Sequence, residues 1–197
     1  MKYLLFLIVL FGTFACGNPS EEKPIKNTIE ISSEKQKTFP KLDTSRYNVG
    51  FLIMDGTYNT ELTAPYDIFQ HTIFREQIKS MNVFTIANSD EAITTFEGMR
   101  IVPDFNYLKD RIPQIDILVV PSAEHHLDSD LEDEAMLEFV KEVDKHALFI
   151  TSHCDGAFVL AKAGLLSNTV STTFPSDIDN MRVMFPQLER MRIMLKL

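Results

Sequence analysis

The sequence predicts an α/β fold in which helices cover both faces of a parallel sheet. Short continuous apolar runs, such as NVGFLIMDG and IDILVVPS, are typical of strands that are buried on both faces. Segments with helical periodicity separate these runs, and strands that alternate with helices indicate a doubly wound parallel sheet. Ligands of such sheets bind at the carboxyl ends of the strands, so the loops after the apolar runs are the first candidates for a functional site.

The first half of the domain contains three predicted strands and one predicted helix. NVGFLIMDG (48–56) predicts the first strand, and residues 62–80 predict a helix. The apolar face of this helix contains Tyr66, Phe69, Ile73 and Ile78. MNVFTIANS (81–89) predicts a second buried strand. GMRIVPD (98–104) predicts a short edge strand, because Pro103 lacks the N–H that a central strand needs.

The second half begins with the strand IDILVVPS (115–122) and a long amphipathic helix over residues 129–147. Ser129 is the predicted N-cap of this helix, and acidic residues fill its first turn. Its predicted apolar stripe consists of Leu131, Ala135, Phe139, Val140 and Val143.

The last predicted elements surround the second cysteine of the chain. ALFITSH (147–153) predicts a fourth strand, and DGAFVLAKAG (155–164) predicts a helix that ends at Gly164. NTVSTTF (168–174) predicts a further strand, and Pro175 begins a short helix.

The start of the chain has the pattern of an export signal. Lys2 precedes an unbroken apolar run over residues 3–11, and small residues follow before Cys16. The run is too short to span a bilayer. A cysteine in this position resembles the lipobox of bacterial lipoproteins, so we expect signal peptide 1–15, a lipid on Cys16 and anchoring of the exported chain at a membrane. The alternative is an ordinary signal peptide with an incidental cysteine.

Residues 16–46 predict a lipidated cysteine followed by a flexible linker, and residues 47–197 predict the α/β domain. The linker is rich in charged residues and proline, and its large apolar residues have no period. It is expected to hold the domain away from the membrane.

The composition excludes one class of partner. The formal charge is −9, with 45% hydrophobic and 24% charged residues, and a nucleic-acid partner would favour a basic surface. The chain contains no zinc-finger spacing, P-loop or GxGxxG motif. We therefore expect no nucleic acid, no cofactor and no metal.

Cys154 lies where a strand turns directly into a helix, which is the arrangement of a nucleophile elbow. Gly156 and Ala157 are small enough for a tight turn. The start of a helix lowers the pKa of a thiol, whereas the negative charge of Asp155 acts in the opposite direction. The alternative is a buried, unreactive cysteine. The loops 55–61, 121–126 and 152–156 are expected to converge at this end of the sheet.

Three stretches resemble the ThiJ/PfpI family, within the class I glutamine amidotransferase-like superfamily: VxFLIxDGxxxxELTAPYDIF, DILVVPS and SHCDGAFVLAKAGLL followed by STTF. The resemblance covers about residues 47–186 and is greatest to the isonitrile-hydratase-like branch and to the amidase-like domain of some AraC-type regulators. It implies a flavodoxin-like sheet sandwiched by helices, and a small-molecule substrate or ligand.

The resemblance also implies roles for individual residues. Cys154 matches the nucleophile of the family, and Glu61 matches the acid that hydrogen-bonds the thiol. The backbone N–H of Asp155, together with one from Ser122 or Ala123, would then stabilise a developing negative charge.

The chain departs from the family pattern at three places. The loop that usually reads PGG is Pro121-Ser122-Ala123 here, which keeps the backbone N–H groups but makes a positive φ harder to adopt. Phe174 stands where many members have a histidine, so His125 or His126 is the candidate replacement for the missing base. A metal site built from Glu61, His125, His153 and Cys154 is the less favoured interpretation. The chain also stops at MRIMLKL, where the family fold continues, so the final strand and helix are expected to be missing and the homodimer usual in the family is left open.

Two functions fit these observations. The first is an exported, cysteine-dependent enzyme of the hydratase, amidase or glyoxalase type. The alternative is a domain without catalytic activity that binds a ligand or senses oxidants through Cys154.

Overall fold

The structure is a computed structural model and describes residues 37–188. The predicted signal peptide, Cys16, most of the linker and the end of the chain from residue 189 lie outside the described residues. Within residues 37–188, no helix is long and apolar enough to cross a membrane.

Five parallel strands form the central sheet, and the α/β prediction is confirmed. The strands lie in the order β5-β2-β1-β6-β7. Their bounds are β1 (Tyr47–Leu52), β2 (Met81–Ala87), β5 (Phe105–Asn106), β6 (Ile117–Val120) and β7 (Phe149–Ser152). A separate antiparallel pair consists of β3 (Ile93–Thr94) and β4 (Arg100–Ile101).

Alternate residues of the central strands face two different hydrophobic cores. Val49 and Phe51 of β1 pack with Leu62 of helix α1 (Asn59–Gln70). Leu52 of the same strand faces the other core. That core is completed by α2 (Glu134–Asp144), α3 (Ala157–Lys162) and α4 (Ile178–Met184). Both faces of the sheet are therefore covered, as the continuous apolar runs predict.

The first helix is shorter than the sequence predicts. Helix α1 ends at Gln70, and His71–Phe74 forms a single 3-10 turn. Thr72 is buried there: its hydroxyl donates to the Phe69 carbonyl and accepts the Met81 N–H, which ties the turn to β2. Ile73 and Ile78 are therefore exposed rather than on the buried face with Tyr66 and Phe69.

The amphipathic helix α2 begins later than predicted. Its N-cap is Asp133, whose carboxylate accepts the Met136 N–H, while Ser129 lies in a preceding 3-10 turn. The later start changes which residues face the core. Met136, Leu137 and Val140 are buried, whereas Ala135 of the predicted stripe is exposed.

Short strands account for the remaining differences. The predicted edge strand at 98–104 contributes only β4, which pairs with β3 outside the main sheet. The edge beside β2 is instead β5, a strand of two residues. Residues 168–174 form none of the described strands.

The start of α3 lies directly against the end of β6. A Cβ atom on Gly156 would lie 2.2 Å from the Val120 carbonyl oxygen and 2.9 Å from that of Pro121. Both neighbours are backbone atoms, which cannot rotate away. Glycine is therefore required at this turn for a steric reason.

We expect Gly156→Ala to lower the free energy of unfolding by about 3 kcal/mol, because the added methyl group forces the backbone of β6 to shift. Urea denaturation followed by circular dichroism measures the change. Gly98→Ala is the control: Gly98 has φ +89° and open space around its Cα, so only conformational strain of about 1 kcal/mol is expected. Equal losses in the two variants would contradict the steric argument.

Candidate active site

Three loops meet at the carboxyl ends of β1, β6 and β7, as predicted. The Glu124 N–H donates to the Gly56 carbonyl at 3.0 Å, and the Tyr58 N–H donates to the Ser122 carbonyl at 3.1 Å. The His153 N–H donates to the Val120 carbonyl at 3.0 Å. Backbone hydrogen bonds therefore fix the loops to one another and form a framework around Cys154.

Cys154 occupies a strained turn between strand and helix. Strand β7 ends at Ser152, Cys154–Gly156 forms one 3-10 turn, and α3 follows at once. The φ of Cys154 is +50°, in the left-handed region that residues with a Cβ seldom adopt. Such strain costs about 1–3 kcal/mol and is concentrated at functional sites. The side chain is half-buried, so the thiol stays accessible.

The surroundings of the thiol keep it protonated. Partial burial, a hydrogen bond to the Glu61 carboxylate and the charge of Asp155 together raise the pKa of Cys154 to about 12. The N–H of Asp155 also hydrogen-bonds the sulfur, and this contact lowers the pKa of the thiol by less than the other causes raise it. The sequence-based expectation that the helix start would lower this pKa is therefore not met, because desolvation and two carboxylates outweigh the helix.

Glu61 is held rigidly beside the thiol. It lies in the first turn of α1, and its Oε2 accepts the Ser122 N–H at 2.9 Å. The Ser122 N–H is thus already engaged and does not serve as the predicted oxyanion donor. Its neighbour Ala123 is buried and pairs with Thr57 in an antiparallel bridge. The backbone candidates for stabilising a developing charge are therefore those of Asp155 and Ala123.

Asp155 is a buried anchor that the sequence pattern did not reveal. Only 5% of the residue is exposed. Its Oδ1 accepts the Thr173 hydroxyl at 2.6 Å and the Phe174 N–H at 3.2 Å. Its Oδ2 accepts a hydrogen bond from the Cys154 thiol at 3.7 Å. The segment that contains Phe174, where the family usually has a histidine, is therefore bound to the elbow through its backbone.

The two candidate bases lie in different surroundings. His125 is half exposed and contacts Glu124 and Asp128, and its ring lines a cavity of about 230 Å³ beyond the thiol site. His126 is mostly buried: its Nδ1 bonds the Ala123 carbonyl at 3.0 Å, and its Nε2 lies 3.5 Å from Asp155 Oδ2. His126 therefore reaches the site through Asp155, whereas His125 does not form that contact.

Aromatic side chains border the thiol. The rings of Tyr58 and Phe96 lie 4.8 Å apart. Partial burial raises the pKa of Tyr58, and the nearby charges of Glu124 and Asp155 raise it further. Phe174 is half exposed. Tyr58 therefore lies close enough to the thiol and to the carboxylates of the site to interact with their charges, and Phe96 packs against its ring.

This chain is similar to isonitrile hydratase of Pseudomonas putida, to which it is 27% identical over 125 residues. The match covers 64% of this chain and 51% of the relative, so the chain spans about half the length of the curated protein that it matches.

Solved structures share the fold at low identity. DJ-1beta of Drosophila melanogaster matches with a TM-score of 0.58 and 20% identity, over 74% of this chain and 72% of that one. A ThiJ/PfpI family protein of Pseudomonas syringae matches with a TM-score of 0.54 and 22% identity, over 72% of this chain and 59% of that one. An AraC family transcriptional regulator of Pseudomonas putida matches with a TM-score of 0.58 and 16% identity, over 74% of this chain and 76% of that one.

The family model of DJ-1/PfpI matches residues 47–189, which includes every strand of the sheet, the Glu61 loop and the cysteine elbow. The resemblance seen in the sequence motifs is thereby confirmed, and the chain belongs to the DJ-1/PfpI family.

Proposed function

We propose that the protein is a small-molecule enzyme in which Cys154 is the nucleophile and Glu61 moves the proton. The observation that carries the proposal is the position of the strained, half-buried thiol between two carboxylates. The thiol donates a hydrogen bond to Asp155 Oδ2 at 3.7 Å, and Glu61, which the Ser122 N–H holds in place, is near enough to raise the pKa of the thiol. A fixed proton acceptor beside the sulfur is what a neutral thiol nucleophile requires.

The raised pKa of the thiol determines the order of events. At neutral pH the sulfur carries its proton, so attack on an electrophilic carbon requires Glu61 to accept that proton as the S–C bond forms. The Asp155 N–H already points at the sulfur and is available to a negative charge that develops next to it. Glu61 then returns the proton to the substrate.

The charge around the thiol favours neutral substrates. Glu61, Asp155 and Glu124 repel carboxylates and phosphates, while Tyr58 and Phe96 offer an apolar surface. Isonitriles, amides and reactive aldehydes are small, uncharged and electrophilic at carbon. The similarity to an isonitrile hydratase supports the first of these classes.

Hydration of an isonitrile fits this arrangement of groups. The sulfur bonds to the terminal carbon, and the proton taken by Glu61 goes to the same carbon, which gives a thioimidate on Cys154. Water then adds to that carbon, the C–S bond breaks and the sulfur regains a proton. The product is an N-substituted formamide, and the net change is the addition of one water molecule.

Oxidant sensing is less well supported than catalysis. Peroxide reacts with the thiolate, and sensor cysteines are low-pKa thiols. The raised pKa of Cys154 keeps the thiolate scarce. The protonated thiol is compatible with a nucleophile that has an adjacent base, and we therefore favour the enzyme.

We further propose that the chain is exported and anchored through a lipid on Cys16, because an apolar run and small residues precede this cysteine. This proposal is independent of the chemistry at Cys154.

We expect Cys154→Ser to abolish turnover of a panel of alkyl isonitriles, primary amides and α-oxoaldehydes, and Glu61→Gln to reduce it by roughly 10²–10⁴-fold, because the proton then has no acceptor. Product formation is measured by chromatography. Glu138→Gln, an exposed acid on α2, is the matched control. Turnover by Cys154→Ser at the rate of the unmodified protein would contradict the mechanism.

Alkylation by iodoacetamide reports the state of the thiol. In a chain with Cys16→Ser, only Cys154 reacts, since the sequence has two cysteines. Iodoacetamide reacts with the thiolate, and a thiol is mostly protonated at pH values below its pKa. We therefore expect alkylation of Cys154 at pH 8 to be roughly 30–100-fold slower than alkylation of a free thiol. The rate should keep rising towards pH 10, and Glu61→Gln should accelerate it at pH 8. A rate that levels off below pH 8 would show that the thiol has a low pKa.

For the anchor, we expect a bacterial host fed labelled palmitate to label the full chain, and Cys16→Ala to lose the label. Cys154→Ala is the control and should keep it. Export without a label would indicate an ordinary signal peptide instead.

A further inference from the structure

His126, Asp155 and Asp177 form a cluster beside the thiol site that the proposed reaction does not use. One ligand atom from each residue, a ring nitrogen or a carboxylate oxygen, lies within 4.8 Å of the other two. His126 comes from the loop after β6, Asp155 from the elbow, and Asp177 from the turn before α4. We propose that these three side chains bind a divalent transition-metal ion, with Zn²⁺ as the best match to one imidazole and two carboxylates.

The first argument is the state of the His126 ring. Its Nδ1 lies 3.0 Å from the Ala123 carbonyl oxygen, which can only accept a hydrogen bond, so Nδ1 carries a proton and the neutral ring presents its lone pair at Nε2. Nε2 is fully buried and has no hydrogen-bond partner among the described residues. A buried nitrogen without a partner is costly. A metal-binding histidine usually donates a hydrogen bond from one ring nitrogen to a carbonyl or carboxylate oxygen, and its other nitrogen binds the ion.

The second argument is a distance. Asp155 Oδ2 lies 3.5 Å from His126 Nε2. The two groups would form an ion pair if the ring were protonated. The contact is too long and too poorly directed for a hydrogen bond. Zinc bonds of about 2.0–2.2 Å at tetrahedral angles separate two ligand atoms by roughly 3.3–3.5 Å. The observed spacing is therefore that of two ligands of one ion.

The third argument is that both carboxylates are held in position by outer contacts. Asp155 Oδ1 is bound by Thr173 and Phe174, whereas Oδ2 lies 3.5 Å from His126 Nε2 and accepts only the long hydrogen bond of the Cys154 thiol at 3.7 Å. Asp177 accepts hydrogen bonds from Asn180 at 2.8 Å and from Ser176 at 2.7 Å. Such bonds orient the ligands before the ion arrives. The two carboxylates also carry the charge that a divalent cation balances.

The ion would lie next to the thiol without using it as a ligand. The Cys154 sulfur is 3.7 Å from Asp155 Oδ2 but is not part of the cluster of three. Zinc binding is therefore measured apart from any reaction at Cys154.

Equilibrium dialysis of the full chain carrying Cys16→Ser, with zinc chloride at pH 7.5, tests the proposal. We expect one zinc ion per chain, and affinity at least tenfold weaker in His126→Gln and in Asp177→Asn. Asp179→Asn is the matched control, because Asp179 lies two residues from Asp177, is exposed and pairs with Arg182. Circular dichroism and urea denaturation check that each variant is folded.

Two further measurements distinguish this site from zinc bound to the thiol. Cys154→Ser should bind zinc as before, and the Co²⁺ form should show tetrahedral d–d bands without a thiolate charge-transfer band. Unchanged affinity in Asp177→Asn or loss of binding in Cys154→Ser would each overturn the proposal, whatever the outcome for turnover.

Discussion

One buried carboxylate, that of Asp155, joins the segments on which the thiol site depends. Oδ1 binds the side chain of Thr173 and the backbone of Phe174, so the chain that leaves α3 returns to the elbow. Oδ2 faces the Cys154 sulfur and the His126 ring. A buried carboxylate is favourable only when it is well hydrogen-bonded, and the contacts at Oδ1 fulfil that condition. One oxygen thus stabilises the fold, while the other contributes to the electrostatics of the site.

This arrangement explains how the site can lack the usual histidine at position 174. A histidine side chain there would supply a base near the sulfur. Phe174 supplies only its backbone N–H, which donates a hydrogen bond to Asp155 Oδ1. The negative charge next to the sulfur then favours the protonated thiol. In the proposed mechanism the proton of the thiol passes to Glu61, which is held by the Ser122 N–H. The residues around Phe174 therefore bear on the charge next to Cys154 through Asp155 rather than through a side-chain base of their own.

The sequence predicted the features that depend on local chemistry. Long apolar runs identify β1, β2 and β6, because a strand buried on both faces needs apolar side chains throughout. The two-residue strand β5 has too few residues for such a pattern. The start of α2 was misplaced because Ser129 and Asp133 are both good caps, and tertiary packing of Met136 and Leu137 decides between them. Helix caps and short edge strands depend on tertiary contacts, which the periodicity of apolar residues in the sequence does not reveal.

The same distinction applies within the site. The elbow motif predicts Cys154 and the family motif predicts Glu61, since each lies in a recognisable run of residues. The bonds of Asp155 to Thr173 and Phe174 span 18 and 19 residues and follow no motif. The cluster of His126, Asp155 and Asp177 joins three separate segments, and the Ala123 carbonyl sets the orientation of the His126 ring within it. The sequence motifs therefore identify Cys154 and Glu61 as candidates, whereas the groups that set the charge around the thiol are brought there by the packing of distant segments.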